Sequence, residues 1–69
     1  MIVELKRDNG KRMFIEAYEV NEMENSVVVY HKNPEVDQRE EFTKNYYKYI
    51  KVKNPGGQPN FLKRRQEGQ

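Results

Sequence analysis

The sequence predicts a mainly β domain, either a small barrel or a strongly bent antiparallel sheet of about five short strands. Three observations carry this. Residues 1–7 alternate, with Met1, Val3 and Leu5 on one side and Glu4 and Lys6 on the other. An Asn9-Gly10 pair follows, a dipeptide that marks a tight hairpin between alternating segments. Val27-Val28-Val29-Tyr30 is a β-branched run closed by an aromatic, the composition of a strand buried on both faces.

The first strand is Met1 to Arg7, and Asp8-Asn9-Gly10 turns the chain, most simply as a type I′ turn with positive φ at both central residues. Met13 to Val20 is the return strand. Its parity is mixed: Met13, Ile15 and Ala17 share one side, Phe14, Tyr18 and Val20 the other. A bulge, or burial of both faces, accounts for this. Asn21 to Asn25 is a polar connection, Val27–Tyr30 the central strand, and Asn33-Pro34 ends it. Residues 35–41 read as a charged loop.

Residues 36–53 read two ways. As a helix, Phe42, Tyr46, Tyr49 and Ile50 form one stripe, with Glu40, Lys44 and Lys48 opposite. Asn33 would cap it and Asn54-Pro55-Gly56 would stop it. The fold would then be a three-stranded meander plus one C-terminal helix over 34–53. As strands, Glu41-Phe42-Thr43 is followed by a tight turn at Lys44-Asn45, and Tyr46 to Lys53 closes the sheet. Tyr46, Ile50 and Val52 then face one way, and Tyr47, Tyr49, Lys51 and Lys53 the other. The density of Tyr, Ile and Val favours strands. Asn54-Pro-Gly-Gly-Gln-Pro-Asn60 has linker chemistry. The expected organisation is a β domain over 1–53 and a flexible basic tail over 54–69, with Phe61-Leu62 able to dock back.

In strand form the order of elements resembles the small five-stranded barrels of the Sm-like and SH3-like families. The likeness to Sm-like proteins covers residues 2–53. Leu5 and Gly10 match that family's opening leucine and turn glycine, Lys44-Asn45 the pair before its last strand, and Tyr49-Ile50-Lys51-Val52 that strand. Asn21-Glu22-Met23-Glu24-Asn25 departs from its Asp-x-x-Met-Asn spacing, Lys-Asn replaces Arg-Gly, and the N-terminal helix is missing. The resemblance implies RNA contact at Asn25, and ring assembly.

Composition narrows function. Of 69 residues, 35% are hydrophobic and 35% charged, with a mean hydropathy of −1.19. So polar a small chain needs a frugal core or a partner, and an open edge strand would favour a homo-oligomer. There is no Cys and only one His, His31. Thiolate zinc sites and histidine clusters are therefore excluded, and no metal or cofactor is expected. No apolar stretch reaches the length of a membrane span, so no membrane partner is expected. Met1-Ile2-Val3-Glu4 does not open like a secretion signal, so the expected compartment is the cytoplasm. No catalytic grouping emerges. His31 lacks a paired nucleophile, Ser26 stands alone, and Gly56-Gly57 lacks a phosphate-loop Lys. Glu35, Asp37, Glu40 and Glu41 lack calcium-loop spacing. A non-enzymatic binding module is expected.

The charges are unevenly placed. Residues 1–42 hold six Lys/Arg against ten Asp/Glu, and residues 43–69 hold seven against Glu67 alone. Tyr47, Tyr49, Lys51 and Lys53, with Lys44 and Lys48 beside them, combine aromatics that stack on bases with cations that meet phosphates. Lys63, Arg64 and Arg65 would add phosphate contacts from the tail. Single-stranded RNA or DNA is the favoured partner. The alternative is a protein-interaction module, such as a phage or mobile-element regulator docking on a host protein through the acidic stretch Glu16, Glu19, Glu22 and Glu24.

Overall fold

A computed structural model describes residues 1–33, 35 and 38–64. The protein is mainly β, a six-stranded antiparallel sheet curled into a half-barrel. The strands are β1 (Ile2–Arg7), β2 (Arg12–Glu22), β3 (Ser26–His31), β4 (Arg39–Thr43), β5 (Tyr47–Lys53) and β6 (Asn60–Arg64), with a single 3-10 turn, Lys44–Tyr46, before β5. Their order across the sheet is β4-β3-β2-β1-β5-β6. No helix among the described residues is long and apolar enough to cross a membrane.

The alternation of β1 survives intact: Val3 and Leu5 are fully buried and Ile2 faces out. The hairpin forms, but with different turn chemistry. Within this turn only Gly10 has positive φ, at 91°, and Asn9 does not. The Gly10 amide donates to the Arg7 carbonyl at 3.0 Å, and the Arg7 amide to the Lys11 carbonyl at 2.8 Å. That is a three-residue loop whose last position is left-handed, a geometry that asks for glycine once rather than twice. The Asn9 side chain accepts from the Lys11 amide at 3.0 Å, the short-range bonding that makes Asn a turn residue.

β2 is eleven residues long and serves both halves of the sheet. Arg12–Glu16 pair with β1 and Ala17–Glu22 with β3. The register slips between Ala17 and Glu19, so Tyr18 is an extra residue and parity reverses there. Met13, Ile15 and Ala17 face the core before the slip, and Val20 after it. The bulge accounts for the mixed pattern of this strand. In β3, Val27 and Val29 join the core while Val28, also buried, lies on the opposite face.

Over 38–53 the chain forms β4, the 3-10 turn and β5, so the helix over 34–53 is not what forms. β4 starts at Arg39, two residues before the expected strand. The expected facing of two tyrosines is reversed: Tyr46 is 70% exposed and Tyr47 is 5% exposed. The 3-10 turn swings Tyr46 outward. A register slip opposite Lys6 and Arg7 then makes Lys48 an extra residue, which returns Tyr47 to the core side. There Tyr47 packs edge-on against Phe42, with ring centroids 5.9 Å apart.

The sixth strand overturns part of the expected tail. Asn60–Arg64 pair with β5, and Leu62 packs against the core. The Lys63 ammonium donates to the carbonyls of Lys44 at 2.9 Å and Tyr47 at 2.6 Å. The Lys44 carbonyl also accepts the Tyr47 amide that closes the 3-10 turn, so the ammonium adds a second bond there and ties the turn to β6. Residues 65–69, including Arg65, lie outside the described residues, as do Pro34 and Asp37.

Candidate nucleic-acid interface

Alternation and register together decide which side chains share the outer face of the β2-β1-β5-β6 half. Ile2 stands opposite Glu16 on one side and Lys53 on the other. Glu4 stands between Phe14 and Lys51, and Lys6 between Arg12 and Tyr49. β6 extends two of these rows, with Phe61 beside Lys51 and Arg64 beside Tyr49. The result is three cross-strand rows: Glu16–Ile2–Lys53, Phe14–Glu4–Lys51–Phe61 and Arg12–Lys6–Tyr49–Arg64.

Glu4 is the fixed point of this face. Its carboxylate accepts a short hydrogen bond from the Tyr49 hydroxyl. It also meets the Lys51 ammonium at 3.2 Å and the Arg12 guanidinium at 3.8 Å. The Tyr49 bond, more than any other contact, holds the Glu4 carboxyl below its ordinary pKa; Lys51 and Arg12 act the same way and burial opposes them. The same bond raises the Tyr49 phenol above its usual value, with burial and the Glu4 charge adding to it. The shared proton thus stays on the phenol oxygen, and Glu4 stays ionised under its cations.

The aromatic part is exposed. Phe14 is 61% and Phe61 40% accessible. Tyr49 meets Phe61 edge-on, with centroids 5.9 Å apart and planes at 77°. Lys51 lies 5.6 Å from the Tyr49 ring and 5.8 Å from the Phe61 ring, and the Arg64 guanidinium lies 4.8 Å from Phe61. Rings bracketed by cations on an open sheet suit a planar, anionic ligand: the ring face accepts a base and the cations its phosphates.

Of the residues expected to bind, Tyr49, Lys51, Lys53 and Arg64 come together on this face. The others do not. Tyr47 is in the core. Lys44 is ion-paired to Glu22 at 2.8 Å and largely covered. Lys63 is turned to the backbone carbonyls described above. Lys48 is the half-buried residue of the β5 bulge. Asn25 lies in the β2–β3 turn, where its carbonyl accepts from the Lys44 amide at 2.9 Å, on the β3-β4 half of the sheet. Sequence reasoning missed Phe14, Phe61, Lys6 and Arg12. The first hairpin held a usable signal, since its turn sets Arg12 opposite Lys6 and Phe14 opposite Glu4.

His31 and Ser26, the other side chains weighed for chemistry, are absorbed locally. His31 Nε2 lies 2.9 Å from Glu40, and the Ser26 hydroxyl donates to Glu41 at 2.6 Å. Among the described residues no group of three His, Asp or Glu side chains could hold a metal ion. Comparisons with protein families, curated proteins and solved structures find no match in any of the three.

Proposed function

We propose that this protein is a non-catalytic binder of single-stranded nucleic acid, and that the outer face of the β2-β1-β5-β6 half is its binding surface. The observation that carries the reading is that Phe14, Tyr49 and Phe61 share one open face with Lys6, Arg12, Lys51, Lys53 and Arg64. Two carboxylates, Glu4 and Glu16, oppose these five cations. Glu4 is covered by its partners and Glu16 is paired with Lys32 at 3.3 Å. Stacking supplies affinity for any base, and the cations add a salt-dependent attraction.

The alternative, a module docking on a host protein through Glu16, Glu19, Glu22 and Glu24, finds less support. The bulge at Tyr18 disperses these residues. Glu16 lies on the basic face, Glu19 pairs across to Tyr30 on the other half, and Glu22 reaches Lys44.

The test is fluorescence anisotropy with labelled oligouridylate and oligothymidylate. Stacking is worth about 1–3 kcal/mol per base and a decade of affinity about 1.4 kcal/mol. Replacing Phe14 and Phe61 together with Ala should therefore weaken binding at least about tenfold. Both side chains are exposed, so circular dichroism should show the fold unchanged. A folded wild type without measurable affinity for either oligomer at physiological salt would falsify the reading.

A further inference from the structure

We infer that the single strand crosses the sheet at right angles to the β-strands, its bases over the Phe14–Glu4–Lys51–Phe61 row and its phosphates over the Arg12–Lys6–Tyr49–Arg64 row. This rests on the function proposed above and adds the lay and length of the ligand.

Charge along the strand direction decides where the phosphates go. The Ile2 row carries Glu16 and Lys53, one of each sign. The Glu4 row carries Glu4 and Lys51, already paired at 3.2 Å. The Lys6 row carries three cations and no acid. Phosphates are therefore attracted to one side of the aromatic row and not to the other. Adjacent rows are two residues apart along a strand, about 6.7 Å. That offset lets a base lie on one row while its own phosphate reaches the next.

Spacing across the strands sets the length. Phe14 on β2 and Phe61 on β6 are separated by three strand intervals, about 14 Å at about 4.8 Å each. Bases in a continuous stack advance only about 3.4 Å per residue, so these two rings cannot hold neighbours in a stack. They fit the first and third bases of an extended trinucleotide. The middle base lies over Lys51 and Glu4. Tyr49 belongs to the phosphate row by register, but its hydroxyl is turned to Glu4 and its ring supports Phe61. A duplex, with its base faces covered, cannot use the two phenylalanines.

The experiment measures affinity of the full chain for oligothymidylates of two to ten nucleotides, each over a range of salt. Affinity should climb steeply up to three or four nucleotides and then grow only with the number of registers. Each phosphate contact to a single strand contributes about 0.7 to the slope of log K against log salt, so the wild-type slope should be near −2. Lys6→Gln, Arg12→Gln and Arg64→Gln should each reduce it by about 0.7. Arg12→Lys should restore it, and Lys53→Gln, on the far side of the aromatic row, should reduce it by less than half as much. The inference is overturned if Lys53→Gln lowers the slope as much as Arg12→Gln does, or if affinity keeps climbing steeply well past four nucleotides. Binding with either of those patterns leaves the proposed function standing; no binding at any length or salt removes both.

Discussion

At the scale of single residues, Glu4 has the largest consequence for its size. It is a carboxylate with 12% of its side chain accessible, met by a phenol and two cations. Its folded pKa is depressed, so the stability it provides is present above the unfolded value, about 4.3, and is lost as pH falls through the lower folded one. Glu4→Gln should cost about 2 kcal/mol at neutral pH, since hydrogen bonds to charged groups are worth about 1.5–3 kcal/mol. For a domain this size that is a drop of roughly 10 °C in Tm. The variant should also lose part of the acid-side fall in stability. Thermal melts of both proteins at several pH values between neutral and about pH 3 check this, and parallel pH profiles would refute the assignment. Strand alternation placed Glu4 beside Lys6 on the outward side. Nothing in the sequence announced that Tyr49, forty-five residues away, would bond to it.

At the scale of elements, what was legible followed from whether alternation ran unbroken. β1 and β3 have clean patterns and lie where expected, and Tyr49, Lys51 and Lys53 share a face as their parity required. β2 and β5 each contain an extra residue, Tyr18 and Lys48. One inserted residue turns every side chain beyond it to the other face. In β2 the mixed parity betrayed the bulge. In β5 three consecutive candidates, Tyr46, Tyr47 and Lys48, left its position open, and the two tyrosines were exchanged. β6 was illegible for another reason. Asn60–Arg64 has two apolar residues after a Pro/Gly-rich turn, and its strand character comes from pairing with β5 rather than from its own propensity. Its contribution is measurable. Ending the chain at Pro59 removes Leu62 from the core margin and the Lys63 ammonium from two carbonyls. The truncated protein should lose at least about 2 kcal/mol, and Lys63→Met alone a large part of that. Urea denaturation gives both numbers, and a midpoint unchanged by truncation would show β6 to be dispensable.

At the scale of the whole molecule, a small core sustains a very polar chain. Its largest fully buried side chains are Leu5, Ile50, Val3, Val27 and Val29. They come from β1, β3 and β5, so each strand depends on the others. Domains of this length have about 3–10 kcal/mol in hand, at about 0.05–0.15 kcal/mol per residue, while a buried Leu→Ala costs about 2–5 kcal/mol. Leu5→Ala should therefore bring the protein close to its unfolding midpoint at 37 °C. Saturating oligonucleotide should raise its Tm by mass action, which calorimetry with and without ligand would show. The placement of β1 carries one more consequence, for the order in which the protein is made. Of the six strands, β1 leaves the ribosome before the others, yet it ends up in the middle of the sheet, between β2 and β5. Its second partner begins forty residues after β1 ends. At about 5–20 residues per second that is a wait of about 2–8 s. Throughout it the Val3 and Leu5 strand has one edge unpaired and open to other nascent chains. A ribosome stalled before Tyr47 would prolong that exposure, so uninterrupted translation of the segment between β1 and β5 should matter more to the yield of this protein than the speed of any later step.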